Sequence, residues 1–449
     1  MIDKSDFHFN GKLEHYEKWM DEDPGGDSKV EFDLTSKMLQ LESLFSYGGE
    51  NHVPLDYRHE EFDDLRIHGN MDLHFDHSFR SVDLIIDKFE GKMKVHPLRF
   101  ENFEGRVHYE DDHLIVEDFH GRLGHSNFKT TLHYYLGENE VVKKRDNHFE
   151  LFADRLDLDQ LINYNPLPVI KETKVNHDDG FNIYSLPFSA MTYHLDVGQL
   201  NYHKYDIRNF KGALRTTSDH YIHVDHLNMD LAGGHFDVDG YFNGSNPEKI
   251  YFSPEITVKN VDLDKLMFKF ENFGQDHLLS ENLHGEFSGK ITGKIHMHND
   301  LVPKIDDSEI HLDVNLNHGR LENYDLLHYM SDYFKNKNLD RVYFDTLNNH
   351  VDIVNGEVTL PKMVINSSLG HLEISGKQTL DGQMEYYLKI PWKMVTKTAA
   401  SKLFRKNKKE EVSSDQIDEI QYGSKKTKYV SVKIIGDENG YRFSLAKDR

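Results

Sequence analysis

The sequence predicts a mainly β protein: an elongated, curved antiparallel groove built from repeated β units, with a few short capping helices. Three observations lead there. Hydrophobic residues recur with a period of two, turn residues interrupt that period regularly, and helical periods are scarce. Alternation places one face of each strand in an apolar environment and the other in water, whereas buried parallel strands read as continuous apolar runs.

The alternation starts at once, with Phe7-His8-Phe9-Asn10-Gly11-Lys12-Leu13, and returns in Met71-Asp72-Leu73-His74-Phe75 and Tyr193-His194-Leu195-Asp196-Val197. Phe236-Asp237-Val238-Asp239, Ile310-His311-Leu312-Asp313-Val314-Asn315-Leu316, Leu372-Glu373-Ile374-Ser375 and Val430-Ser431-Val432-Lys433-Ile434 continue it. Turns are marked by Asp23-Pro24-Gly25-Gly26, Asp178-Asp179-Gly180, Asn243-Gly244-Ser245-Asn246-Pro247 and Asp381-Gly382. Helical spacing is confined to residues 321–334 and to an amphipathic stretch at 392–409. So little helix cannot cover so many strand faces, so the apolar faces must close on themselves, pack on another sheet or hold a ligand.

Internal repeats support an array. The block Asn102-Phe103-Glu104-Gly105-Arg106-Val107 resembles Asn209-Phe210-Lys211-Gly212-Ala213-Leu214, and both pass through small residues, Gly121 and Gly124 or Gly233 and Gly234, into another strand. A fainter copy runs from Leu347 through Gly356 and Gly370 to Gly376. A short aliphatic signature follows the first two, Leu156-Asp157-Leu158 and Val261-Asp262-Leu263, and an earlier copy is Leu39-Gln40-Leu41. The period is on the order of 100–120 residues. The expected organisation is an incomplete first unit at 1–46, groove units at 47–165 and 166–272, and a C-terminal region at 273–449.

Composition bounds the function. The 449 residues are 37% hydrophobic and include 28 Phe and 23 Tyr, enough for a sizeable core. No Cys is present, which excludes thiol catalysis, disulfides and Cys-ligated metal centres in this chain. A net charge of −24 argues against nucleic acid as a partner. Apolar runs such as Leu84-Ile85-Ile86 are far shorter than the roughly 18–20 residues of a spanning helix. The first residues lack the apolar region of a secretory signal, and Met1 is expected to be a cut point in a longer chain.

The order of elements in the last third resembles the AsmA-like family, which includes TamB-type proteins and is similar to bridge-like lipid-transfer proteins. That order begins with Gly319-Arg320-Leu321-Glu322-Asn323-Tyr324 and continues through Phe344-Asp345-Thr346-Leu347, Val351-Asp352-Ile353 and Ile365-Asn366-Ser367-Ser368-Leu369-Gly370. It ends in Ile374-Ser375-Gly376, Leu380-Asp381-Gly382 and Met384-Glu385-Tyr386-Tyr387-Leu388-Lys389-Ile390-Pro391. The resemblance implies a non-enzymatic periplasmic protein, tethered to the inner membrane by an N-terminal segment absent from this chain. It further implies that phospholipid passes along a groove in support of outer-membrane homeostasis.

On that basis the groove lining is expected to include Leu114, Val116, Phe236, Val238, Leu372, Ile374, Val430, Val432 and Ile434. Each sheltered CH₂ of an acyl chain is worth about 0.8 kcal/mol. The stretch 392–409 carries Lys393, Lys397, Lys402, Arg405, Lys406, Lys408 and Lys409 without an acid, as a helix that meets anionic membrane would. The contrasting expectation is a solvated connector there, and for the whole chain a structural β scaffold or protein-docking spacer with a filled core.

Catalytic and cofactor motifs are weak, so no cofactor and no metal are expected. Thirty His invite a metal reading at His120 with His125, His296 with His298, or His108 with His113, yet most occupy the polar set of a strand. His59-Glu60-Glu61-Phe62-Asp63 approaches a helical zinc motif but lacks its last His. Asp237-Val238-Asp239-Gly240 resembles part of a calcium loop, but His235 stands at its first position and no bidentate Glu closes it, so a strand edge followed by a Gly turn is the better account. A metal-dependent hydrolase is the last-ranked alternative.

Overall fold

A computed structural model describes residues 5–42, 46–47, 50–51, 60–95, 98–161, 183–185, 188–202, 205–269, 280–299, 301–330, 339–396, 417–422, 425–437 and 440–446. The protein is mainly β, antiparallel almost throughout, with a few short helices. It divides into two compact units, Met1–Val175 with Pro187–Met229, and Asn176–Leu186 with Asp230–Arg449.

In the first unit the chain forms β1 (Asp6–Glu14), β2 (Gly25–Gln40), a minimal hairpin of β3 (Ser46–Tyr47) and β4 (Glu50–Asn51), β5 (Glu61–Asp76), β6 (Phe79–Met93), β7 (Arg99–Glu110), β8 (His113–Leu123) and β9 (Ser126–Tyr135). Helix α1 (Glu140–Asp146) leads to β10 (His148–Asp157), α2 (Leu158–Leu161), β11 (Met191–Tyr202), β12 (Tyr205–Thr216) and β13 (Tyr221–Leu231). β2 pairs with β1 and β5, and each strand from β5 to β10 pairs with the next in antiparallel register. The exception is β10–β11, which are parallel, with His148 opposite Thr192 and Leu156 opposite Leu200. This pairing runs across the boundary expected at 165/166.

The repeated Asn-Phe-x-Gly motif has a backbone cause. Asn102 and Asn209 have φ of 54° and 50°, a left-handed conformation that Asn tolerates better than most residues. At Asn102 the register of β7 against β8 shifts, a bulge that increases local twist and turns Phe103 inward. Phe103 is 2% exposed, and the rings of Phe89, Phe100, Phe119 and Phe128 surround it at centroid distances of 6.2, 5.4, 5.4 and 5.7 Å. Gly121 lies beneath it: a Cβ there would sit 2.5 Å from the Phe103 ring. In the second copy Phe210 packs on Ala153, Val197 and Leu200. Replacing Phe103 by Ala should cost about 3–5 kcal/mol, read as a lower urea midpoint at unchanged slope.

The aliphatic signature marks a switch from strand to helix. Leu156 and Asp157 end β10, and the Asp157 carboxylate accepts the Gln160 N–H at 3.1 Å to start α2. Val261 and Asp262 end a strand of the second unit in the same way.

That unit contains β14 (Gly234–Asn243), β15 (Tyr251–Asp262), α3 (Leu263–Lys269), β16 (Leu283–His296), β17 (Glu309–Glu322), α4 (Asp325–Tyr329), β18 (Arg341–Val354), β19 (Glu357–Ser367), β20 (Gly370–Thr379) and β21 (Met384–Pro391). β22 (Ile417–Tyr422), β23 (Lys425–Asp437) and β24 (Gly440–Leu445) complete it. β14 to β21 pair successively, and β23 then pairs with β21, β22 and β24.

The helix expected at 321–334 is shorter at its start. Leu321 is held between Leu283 and Val342 as part of β17, Asn323 leaves the strand at φ 48°, and the helix begins at Asp325. Residues 331–334 lie outside the described residues. Of the stretch 392–409, Trp392–Met394 form one 3₁₀ turn that leaves Lys393 exposed. Lys397, Lys402, Arg405, Lys406, Lys408 and Lys409 lie outside the described residues.

Candidate functional site

Strand register assembles an apolar row in the first unit that no single strand reveals. Leu13 of β1 faces Val30, then Met71, Leu84, Val107, Val116, Leu132, Phe149, Tyr193 and finally Leu214 of β12, each directly opposite the next. From Met71 to Leu214 every member is half-buried, so these side chains share a face and keep access to solvent. Leu114 sits one row away, between Tyr109 and Tyr134. Val116 and Leu114 therefore belong to one open apolar surface.

The second unit starts similarly and ends differently. Val238 of β14 faces Ile256, Ile291, Leu312 and Val351 in succession, and only Val238 of these is fully buried. Phe236, two residues earlier, faces Val258 and is also buried. Towards β20–β24 the same kind of face is covered. Leu326 and Met330, from α4 and its C-terminal end, pack with Leu372, Leu388, Ile390, Val430, Val432 and Ile434 in one cluster, with Ile374 against it. Val430 and Ile434 are 1% exposed. Burial pushes the Tyr324 phenol up, and that of Tyr386 up to about 12, as a dry interior requires. Leu372, Val430, Val432 and Ile434, four of the nine expected lining residues, thus contribute to a filled core, and Ile374 lies half-buried at its edge.

The polar faces carry ion pairs across strands. His74 lies 2.7 Å from Asp27, His108 2.7 Å from Asp83, and His120 2.9 Å from Glu104. His125 is beside Asp157 at 3.5 Å and His113 beside Asp146 at 3.1 Å, so each of these His has a carboxylate partner of its own. Glu60, of the near-zinc motif, is buried and accepts the backbone N–H groups of Lys94 and Val95, both at 2.8 Å. Asp237 pairs with Lys259 at 3.1 Å in the middle of β14, and Gly240 faces Pro254 within that strand and forms no turn. A broad depression of about 1100 Å³ in the second unit mixes the charged Glu357, Lys377, Glu385 and Arg442 with the apolar Leu360, Met384 and Ile435.

One ion-pair group has a defined pH signature. The hydrogen bond from His235 to Asp230 at 2.7 Å, aided by Asp237 at 3.2 Å, raises the imidazole above its ordinary value. Its contribution to stability is complete below the unfolded value near 6.5 and is lost as pH rises through the folded value. Lys259, then His235, lowers Asp237, whose contribution is present above the ordinary carboxylate value and lost as pH falls through its folded value. The difference in stability between the native chain and His235→Gln should therefore be full below about pH 6.5 and fade as the pH rises through the raised folded value. Urea midpoints across that range measure it; partly exposed pairs are worth about 0.2–1 kcal/mol.

Sequence reasoning missed two groupings. The phenylalanine cluster around Phe103 was signalled by the Asn-Phe-x-Gly repeat, and the convergence of His311, His350 and Asp352 by nothing short of the strand register. No family model, no curated protein and no solved structure matches the chain.

Proposed function

We propose that this chain is a non-enzymatic lipid-binding protein that holds acyl lipid along the open apolar face of its sheets and lets it move lengthwise. The observation that carries this reading is the half-buried row from Met71 to Leu214, apolar at every position. Sheltering hydrocarbon on such a face gains about 25 cal/mol per Å² of apolar surface, and no bond need form or break for lipid to slide. The AsmA-like order of elements in the last third favours a phospholipid as the ligand. It also favours a bacterial periplasmic setting and a role in outer-membrane lipid homeostasis.

A second reading has its own observation. The filled core of β20–β24 would suit a structural spacer or protein-docking scaffold. Mass spectrometry of organic extracts from the purified protein, beside its native mass, separates the two. Several phospholipids per chain support lipid carriage; a lipid-free protein that is stable without detergent overturns it and leaves the spacer.

A further inference from the structure

We propose that His311, His350 and Asp352 form a binding site for a divalent transition-metal ion, bridging β17 and β18 on their polar face. Antiparallel register places His311 opposite Asp352 and Asp313 opposite His350, so both imidazoles stand on one face at diagonal positions. Their rings are parallel within 11° at a centroid distance of 6.1 Å. His311 Nδ1 and His350 Nε2 converge on the same oxygen, Asp352 Oδ1, at 2.6 and 2.9 Å. The ligand atoms of the three residues all lie within 4.8 Å of one another.

The remaining ring nitrogens decide the chemistry. His311 Nε2 is 3.2 Å from Glu309 Oε1, and His350 Nδ1 is 2.9 Å from Asp313 Oδ1. Each outer nitrogen can donate its N–H to its carboxylate, and each inner nitrogen donates to Asp352 Oδ1; a metal ion would take the place of those two inner protons, with the outer N–H groups still held by Glu309 and Asp313. Carboxylates behind ligating imidazoles, fixing tautomer and ring orientation, are what a His-ligated metal requires. Two nitrogens and one carboxylate suit zinc, nickel, cobalt or copper better than magnesium or calcium, which prefer all-oxygen ligands. Three protein ligands on a partly exposed face leave a coordination position for water or an exchangeable group. The pairs His74–Asp27 and His108–Asp83 offer one imidazole each and lack this convergence.

Zinc titration by calorimetry tests the site, with the native chain, His311→Gln, His350→Gln and the control His74→Gln. The expected result is one tight equivalent in the native chain and in the control, weakened at least tenfold in each site variant. Equal isotherms for all four proteins would overturn the proposal. A second measurement on the native chain removes any dependence on variant folding: diethyl pyrocarbonate labelling read by mass spectrometry at one equivalent of zinc. His311 and His350 should be protected ahead of the other histidines; uniform protection, or none, overturns the site. Neither readout depends on lipid, so the outcome is separate from that of lipid extraction.

Discussion

Replacing Val116 and Leu132 together by aspartate should strip the purified protein of phospholipid while leaving the sheet intact. The two residues face each other across β8 and β9 in the middle of the apolar row, and both keep contact with solvent. A carboxylate at either position can remain hydrated in the empty protein, so the cost to folding should be limited to about 2–4 kcal/mol, from the lost half-burial and the two like charges placed opposite each other. An acyl chain laid along the row would have to dehydrate both charges, which disfavours it steeply. Bound lipid per chain is expected to fall at least tenfold, equivalent to about 1.4 kcal/mol or more. Extraction and quantification of lipid per folded chain, against an unchanged circular dichroism spectrum, provide the measurement. Full lipid occupancy in this variant would remove the row as the binding surface.

The opposite outcome is expected at Ile434. Its side chain is enclosed with Val430, Val432, Leu388 and Met384, and no water reaches it to solvate a charge. Ile434→Asp should destabilise the second unit by about 5 kcal/mol or more, the range associated with an unpaired buried charge. Ile434→Ala should cost about 2–5 kcal/mol through the cavity it leaves. Lipid bound per folded Ile434→Ala chain should equal that of the native protein. An Ala variant that loses lipid at unaltered stability would show instead that this surface is lining and not core.

These two experiments separate residues that look alike in the sequence. Leu372-Glu373-Ile374 and Leu114-Ile115-Val116 both present aliphatic side chains to an apolar face, and local period indicates that much. Whether the face stays open depends on what covers it. Leu326 and Met330 lie more than 40 positions from Leu372 and its neighbours, and nothing in the alternation of a strand announces a distant helix. Strand positions were legible because side-chain direction is a local property. The Asn-Phe-x-Gly repeat was visible as a pattern, but its meaning, a left-handed Asn that aims a phenyl ring over a glycine, required the backbone. His311 and His350 show the limit most plainly. Each reads as an ordinary solvent-facing residue of its own strand, and only the offset of β17 against β18 makes them neighbours.

The parallel pairing of β10 with β11 has a consequence for how the first unit acquires its structure. Every antiparallel ladder from β5 to β10 joins strands that follow one another closely along the chain, so each can zip onto its predecessor as soon as it exists. Local closures of this kind lose little chain entropy and proceed in microseconds. Between Asp157 and Met191 the chain must instead return to the starting end of β10 before Thr192 can meet His148. That excursion has to be completed before any of its contacts repay it. Folding of this unit should therefore show a fast phase for the β5–β10 meander and a slower one for docking of β11. Amide protons of β11 would be the last to gain protection from exchange.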